Sequence, residues 1–325
     1  MPRFRTKIKL NTYPFQLSHE DNVTCIGSCF AENMGQQLIA AKFETQVNPF
    51  GILYHPMAIK EALERLLSAR PFDESELVLD QGMWHSFLHH SQFSHPDKSH
   101  VLHNINQSLT REQAFLQKTN RLIITFGTAR VYEWLDGNKI VANCHKIPAK
   151  AFSRRLLSVD EIIEAMSEIF TKLQANKPDI EIVLAISPVR HIRDGLVENQ
   201  QSKSVLSLAT AALCENFSFV HYFPSYEIVL DELRDYRFFK KDMIHPNEVA
   251  IDYIWDLFSN TFFVEDTQML LQKIAKIRLA AEHRPFRPNS EKHQKFIKNT
   301  LSIIQKLNKQ HPRLSFEKEI ATFRN

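Results

Sequence analysis

The chain is poor in glycine, with seven in 325 residues: Gly27, Gly35, Gly51, Gly82, Gly127, Gly137 and Gly195. A sequence this sparing puts glycine where backbone geometry or close approach demands it, so each position is a landmark. Cysteine is scarce too. Cys25, Cys29, Cys144 and Cys214 are spread too widely for a disulfide framework, and no pair has metal-ligand spacing matched by a second pair, so reduced thiols are expected. Long apolar runs are missing: nothing approaches the ~20 residues of a membrane span. The basic start MPRFRTKIKLNTYPFQL never develops the apolar core of a signal peptide. These absences point to a cytoplasmic protein with no membrane partner. A large charge excess is missing as well, since 24% charged residues leave a formal net charge of only +3, which argues against a nucleic-acid partner. No internal repeat or low-complexity tract is visible.

What the chain does have is alternation. NVTCIG (22–27), RLIITFG (121–127), IEIVLAIS (180–187) and FSFVHYF (217–223) are short apolar runs rich in β-branched or aromatic residues and read as buried strands. Between them MAIKEALERLLSA (57–69), VDEIIEAMSEIFTKLQA (159–175) and SKSVLSLATAALCENF (202–217) have helical periodicity. Strands alternating with helices predict a mainly parallel sheet with right-handed crossovers and ligands beyond the carboxyl ends of the strands. Gly27-Ser28, Gly127-Thr128 and Ser187-Pro188 would all lie on that edge. Gly137, in LDGN, reads as a hairpin turn. From about residue 266 the pattern changes to two helical stretches around a proline-containing polar loop, read as a basic helical appendage without an independent core. The boundaries are therefore a domain over 1–262 and a helical extension over 263–325.

Three stretches carry the residue types of chemistry. Ser28 stands at a strand-to-helix turn, where it is either a helix cap, with Glu32 near a capping-box position, or a nucleophile. In YRFFKKDMIHPNEVAIDYIWDLF, Asp242 and His245 are three residues apart just before an amphipathic pattern of Ile251, Ile254, Trp255 and Phe258, with Pro246 at its first turn. One loop can thus supply a histidine base and the carboxylate that fixes its tautomer. Cys29 competes as a nucleophile and is expected to pack inward. In WHSFLHHSQFSH, His85 and His89 have the i, i+4 spacing of helical metal ligands, but no paired cysteine or acidic ligand accompanies them, which favours surface or pocket-lining histidines and no metal. Arg190, His191 and Arg193 in SPVRHIRDG would meet an anionic substrate group or brace the last loop against DELRDYR.

GSCFA (27–31) resembles the name-giving motif of the GSCFA-domain proteins, which belong with the SGNH, or GDSL-type, hydrolases. NPFGILYHP (48–56), WHSFLHHSQFS (84–94), TFGTARVYE (125–133), VANCHKIPAKAF (141–152), SPVRHIRDG (187–195) and YFPSYEIVLDELRDYRFF (222–239) resemble the family too, so the likeness covers roughly residues 20–260. It implies a flavodoxin-like three-layer α/β/α sandwich and a serine esterase-type hydrolase acting on an ester or acetylated small molecule or glycan through Ser28, Asp242 and His245, with no cofactor. An O-acyltransferase, or a binding protein that has lost efficient chemistry, would keep the same fold. The resemblance also implies oxyanion donors at Ser28 and, by position, at Gly51. The third donor of the superfamily, an asparagine in Gly-x-Asn-Asp, is absent, because this chain reads Gly127-Thr128-Ala129-Arg130. Asn143 and His145 are candidates to replace it or merely stabilise their loop, and Arg130 would bind a substrate anion or make a structural ion pair. The C-terminal helices offer either an oligomer or partner contact or a solvated cationic face.

Overall fold

The computed structural model describes residues 5–287 and 290–324; Pro288 and Asn289, in the polar loop of the appendage, lie outside the described residues. The strands are β1 (Asn22–Gly27), β2 (Glu44–Val47), β3 (Leu77–Asp80), β4 (Met83–Ser86), β5 (Arg121–Phe126), β6 (Arg130–Trp134), β7 (Lys139–Val141), β8 (Phe152–Leu156), β9 (Glu181–Ile186) and β10 (Val220–Phe223). The helices are α1 (Cys29–Ala40), α2 (Pro56–Ser68), α3 (Lys98–Leu116), α4 (Val159–Asn176), α5 (Leu196–Asn216), the single turn α6 (Ser225–Glu227), α7 (Glu248–Phe262), α8 (Glu265–Glu282), α9 (Glu291–Gln310) and α10 (Glu317–Arg324).

Five strands form a parallel sheet in the order β10-β9-β5-β1-β2. The three inner strands are buried on both faces from their second residue onward, which is why they read as unbroken apolar runs. The edge strand ETQV contains a single aliphatic residue and stays partly exposed. One face of the sheet packs on a core containing Ala58, Ile59, Ile105, Met166, Phe170 and Leu206 from α2 to α5. The other face meets Phe30, Met34, Ile254 and Phe258 of α1 and α7. The result is a three-layer α/β/α sandwich.

The sheet order decides where the site lies. The chain leaves β1 for β2 on one side and then returns to β5 on the other, so the crevice beyond the carboxyl ends of β1 and β5 is the topological switch point. Ser28 follows one of those strands and Gly127 the other. Antiparallel pieces decorate this edge: the β3–β4 hairpin and the sheet β7-β6-β8, whose β6–β7 turn contains Gly137.

The C-terminal helices differ from the expected appendage in one respect. Leu270, Ile274, Ile277, Ile304, Leu307, Leu314 and Phe316 form an apolar cluster of their own. Three and four residue spacing on α8 and α9 aligns these side chains, so burial against one another is what holds the helices together. They dock on the sandwich through Lys42, which meets Glu319 at 2.7 Å and lies over the Phe316 ring. Among the described residues no helix is long and apolar enough to cross a membrane.

Candidate active site

β1 ends at Gly27, whose φ of +140° lets the chain pass close beneath Thr125. Ser28 follows in extended conformation and caps α1, its Oγ accepting the Phe30 N–H at 3.3 Å. Its own N–H donates to Thr125 O at 3.1 Å, extending the β1–β5 ladder by one residue. The loop after β2 folds over this junction. Gly27 donates to Asn48 Oδ1 at 2.9 Å, Leu53 N–H donates to Gly27 O, and Gly127 and Thr128 both donate to Tyr54 O. Ser28 is fully buried as a result. Gly51 closes the turn Asn48–Gly51 by donating to Asn48 O at 2.8 Å.

The loop before α7 makes a compact carboxylate–imidazole pair. Asp242 Oδ1 accepts the N–H groups of His245 and Ile244 at 3.0 and 2.9 Å, while Oδ2 accepts from His245 Nδ1 at 2.8 Å. Those backbone amides first, and the imidazole after them, hold the Asp242 carboxyl down to about 2. With Nδ1–H engaged, His245 keeps Nε2 as its free acceptor. Asn247 caps α7 and Pro246 precedes the cap, one step outside the expected first turn. Arg190 N–H, on the loop after β9, donates to Ile244 O at 3.5 Å and ties this loop to its neighbour. Among the described residues no hydrogen bond joins Ser28 Oγ to His245, and catalytic contacts of this kind often close only when substrate binds.

Two further groups pack around the ends of β5 and β9. A β-carbon placed on Gly127 would stand 3.3 Å from His191 Nε2 and 3.4 Å from Ser28 Cβ, so the imidazole and the serine are neighbours across that glycine. Burial first, then the charges of Lys203, His245 and Arg154, push His191 down to about 4 and keep it neutral. Lys203, fully enclosed, donates to Gly127 O at 2.6 Å and Ser187 O at 2.7 Å, joining the ends of β5 and β9. Burial pushes its ammonium down from 10.5 to about 7, opposed by the nearby Cys29.

The GSCFA family model matches residues 22–258, and the model of the GSCFA domain protein, C-terminal domain, matches residues 274–325. The chain belongs to the GSCFA family. No curated protein matches it.

In this GSCFA protein several other expected site residues have different work. His145 bonds to Ser86 O through Nε2 and Ser91 Oγ through Nδ1, stacks on His85, and is pushed down to about 4 by burial. Asn143 Oδ1 accepts the His145 N–H. Both therefore follow the loop-stabilising alternative. Arg130 faces Asp194, as does Arg154, which is the structural ion pair of the two alternatives. Arg190 lies over Phe239 and Tyr236, bracing the last loop through aromatic faces instead of the acidic residues of DELRDYR. His85 is in strand β4, so the pair with His89 is not helical, and His89 Nδ1 meets Ser86 Oγ. Among the described residues no group of three His, Cys, Asp or Glu is placed to hold a metal. Cys29 corrects another expectation: it is half-buried while Ser28 is enclosed, and burial pushes its thiol up despite the helix amides and Lys203.

Lys203 and Asn48 are residues that the sequence reading missed. Lys203 has a consequence for stability. An unfolded lysine keeps its proton to about 10.5 and the folded one releases it near 7, so between those values the unfolded chain binds more protons. Stability then rises with pH, and this contribution is lost as pH falls through 7. Urea unfolding from about pH 7 to about pH 8.5 should show the native protein gaining relative to Lys203→Met by on the order of 1–2 kcal/mol, the thiols, which both proteins share, cancelling in the difference. Parallel curves for the two proteins would contradict a depressed lysine.

Proposed function

We propose that this protein is a serine esterase-type hydrolase of the SGNH kind, working in the cytoplasm on an ester or O-acetyl group of a small molecule or glycan. The observation that carries the reading is the 2.8 Å Asp242–His245 pair, set on a loop bonded to the one whose His191 adjoins Ser28 at the switch point of the sheet. Ser28, Asp242 and His245 come from the two ends of the chain, and their order fits one nucleophile, one base and one orienting carboxylate.

In the reaction, Ser28 Oγ attacks the carbonyl carbon as its proton passes to His245 Nε2. Asp242 steadies the imidazolium, the leaving alcohol takes that proton, and water repeats the sequence on the acyl-enzyme. An O-acyltransferase differs only in replacing water by another hydroxyl. Because Ser28 is fully buried, the loops carrying Tyr54 and His191 must part before an acyl group reaches it.

A second reading, a ligand-binding protein with little or no turnover, is favoured by one specific observation. The Ser28 and Gly51 amides expected to hold an oxyanion are engaged by Thr125 O and Asn48 O. Treatment with a fluorophosphonate followed by peptide mass spectrometry separates the two. The hydrolase reading expects an adduct on Ser28 in the native protein and none in Ser28→Ala. If Ser28 stays unmodified while a reference serine esterase in the same tube is labelled, the binding reading replaces it.

A further inference from the structure

The tetrahedral oxygen formed when Ser28 attacks needs preorganised donors, and those in the expected places are engaged or missing. Ser28 N–H serves Thr125 O, Gly51 N–H serves Asn48 O, and Ala129 occupies the place of the third-block asparagine with its N–H on Ser202 Oγ. Two buried side-chain nitrogens around the Gly27–Ser28 junction, one on a residue that caps the Gly27 N–H and one across Gly127 from Ser28, are in the opposite condition. His191 Nε2 and Asn48 Nδ2 are shielded from solvent and have no hydrogen-bond partner. Buried polar atoms are almost always paired, so an unpaired one at a reactive residue calls for an explanation.

We propose that His191 Nε2–H and Asn48 Nδ2–H are the oxyanion donors of this site, in place of the missing asparagine and the two engaged amides. The inference rests on the hydrolase reading above.

Each donor is held from behind. Asn48 is fixed by the Gly27 N–H, which requires its carbonyl oxygen and so leaves the amide nitrogen as the free end. Its φ of +45° suits asparagine, aspartate or glycine and few other residues. His191 donates its main-chain N–H to Asn199 Oδ1 at 2.9 Å, its ring meets Tyr54 edge-on, and its loop is latched by Asp194 to Arg130 and Arg154. The charged and titratable groups acting on that ring, Lys203, His245 and Arg154, all favour its neutral form. A neutral imidazole is a competent donor that does not compete with His245 for the serine proton. The donors come from different elements: Asn48 from the loop after β2, and His191 across Gly127 from the loop after β9.

As the Oγ–C bond forms, the carbonyl π pair moves onto oxygen and the serine proton moves to His245. The two N–H groups meet that charge until the pair restores the C=O bond and the leaving alkoxide takes the proton back.

The test uses the full chain with p-nitrophenyl acetate and a trifluoromethyl ketone, which forms the same oxyanion on a serine. His191→Ala should lower kcat roughly 100-fold with KM little changed, and His191→Gln, which keeps a donor, should recover part of the loss. Asn48→Asp, which keeps the backbone conformation and the acceptor for Gly27, should behave like His191→Ala. Affinity for the ketone should fall by the same factor as kcat/KM in each variant, which a merely structural role would not produce. Melting temperatures near the native value would show that folding is intact. An unchanged kcat in either variant, or loss of kcat without loss of ketone affinity, overturns the pair of donors while leaving Ser28 labelling intact. A native protein that the fluorophosphonate does not label overturns the hydrolase reading and this inference with it.

Discussion

Gly27→Ala should lower stability by roughly 3 kcal/mol or more, the sum of a strained backbone and a clash that cannot relax. The residue sits at φ +140°, where an L side chain is disfavoured, and a β-carbon there would lie 2.2 Å from Thr125 O and 2.9 Å from Thr125 C and N. Those atoms are backbone of the neighbouring central strand, held in the sheet on both sides, so β1 itself has to move. Gly27 also donates to Asn48 Oδ1 and accepts from Leu53, and the next residue is Ser28, so the displacement passes directly into the site. Gly82 provides the comparison. Its φ is +77°, but no atom stands within 4 Å of its would-be β-carbon, so Gly82→Ala should cost only the conformational part, about 1–2 kcal/mol. Chemical denaturation of the two variants beside the native protein measures the difference. Equal destabilisation would mean that the close passage under Thr125 is not what requires glycine at position 27.

The same physics explains how much of the fold was legible in the sequence. β1, β5 and β9 are covered on both faces, so selection for burial leaves continuous apolar runs. β2 is a four-residue edge strand whose only aliphatic side chain is Val47; its place is set by pairing with β1, which no local pattern reports. Helix α3 leaves a weak signal: Val101, Ile105, Leu109 and Leu116 mark a buried stripe, but polar residues dominate the rest of KSHVLHNINQSLTREQAFL. The turn at Gly137 needs only local chemistry, and the structure places it between the antiparallel strands β6 and β7. The candidate site divides in a similar way. Asp242 and His245 were readable as a pair because their contact is local, whereas the neighbourhood of His191 and Ser28 depends on how two distant loops cross Gly127. Lys203 did leave a signal: it falls on the same helical face as Leu206, Thr210 and Leu213, and a lysine on a buried stripe asks for a partner. The partners are backbone carbonyls at two strand ends, invisible until the sheet is assembled.

Two histidines bear on the proposed chemistry, His191 beside Ser28 across Gly127 and His245 on the loop before α7, and substituting each should have unequal consequences. On the hydrolase reading, His245→Ala should reduce kcat by roughly 10⁴-fold or more, the loss typical of removing the base from a serine triad. Asp242→Asn should approach the same loss without disturbing the loop, because an amide oxygen at Oδ1 still accepts the Ile244 and His245 N–H groups. What it removes is the negative charge facing Nδ1 and, with it, stabilisation of the imidazolium. Since the carboxyl is held down to about 2, Asp242 stays ionised throughout the working range and keeps its charge on the imidazole. His191 differs in kind: its pKa is pushed to about 4 and it lacks a carboxylate to orient it, so losing it should cost the hundred-fold expected of an oxyanion donor. Steady-state rates of the three single variants and of the double variant His191→Ala/His245→Ala decide the assignment. If His245→Ala retains most of the rate and His191→Ala abolishes it, the base is the buried histidine and the Asp242–His245 pair is a structural clasp on the last loop. If both single losses are large and the double variant is no worse than His245→Ala, the second donor matters only once the base has created an oxyanion for it to hold.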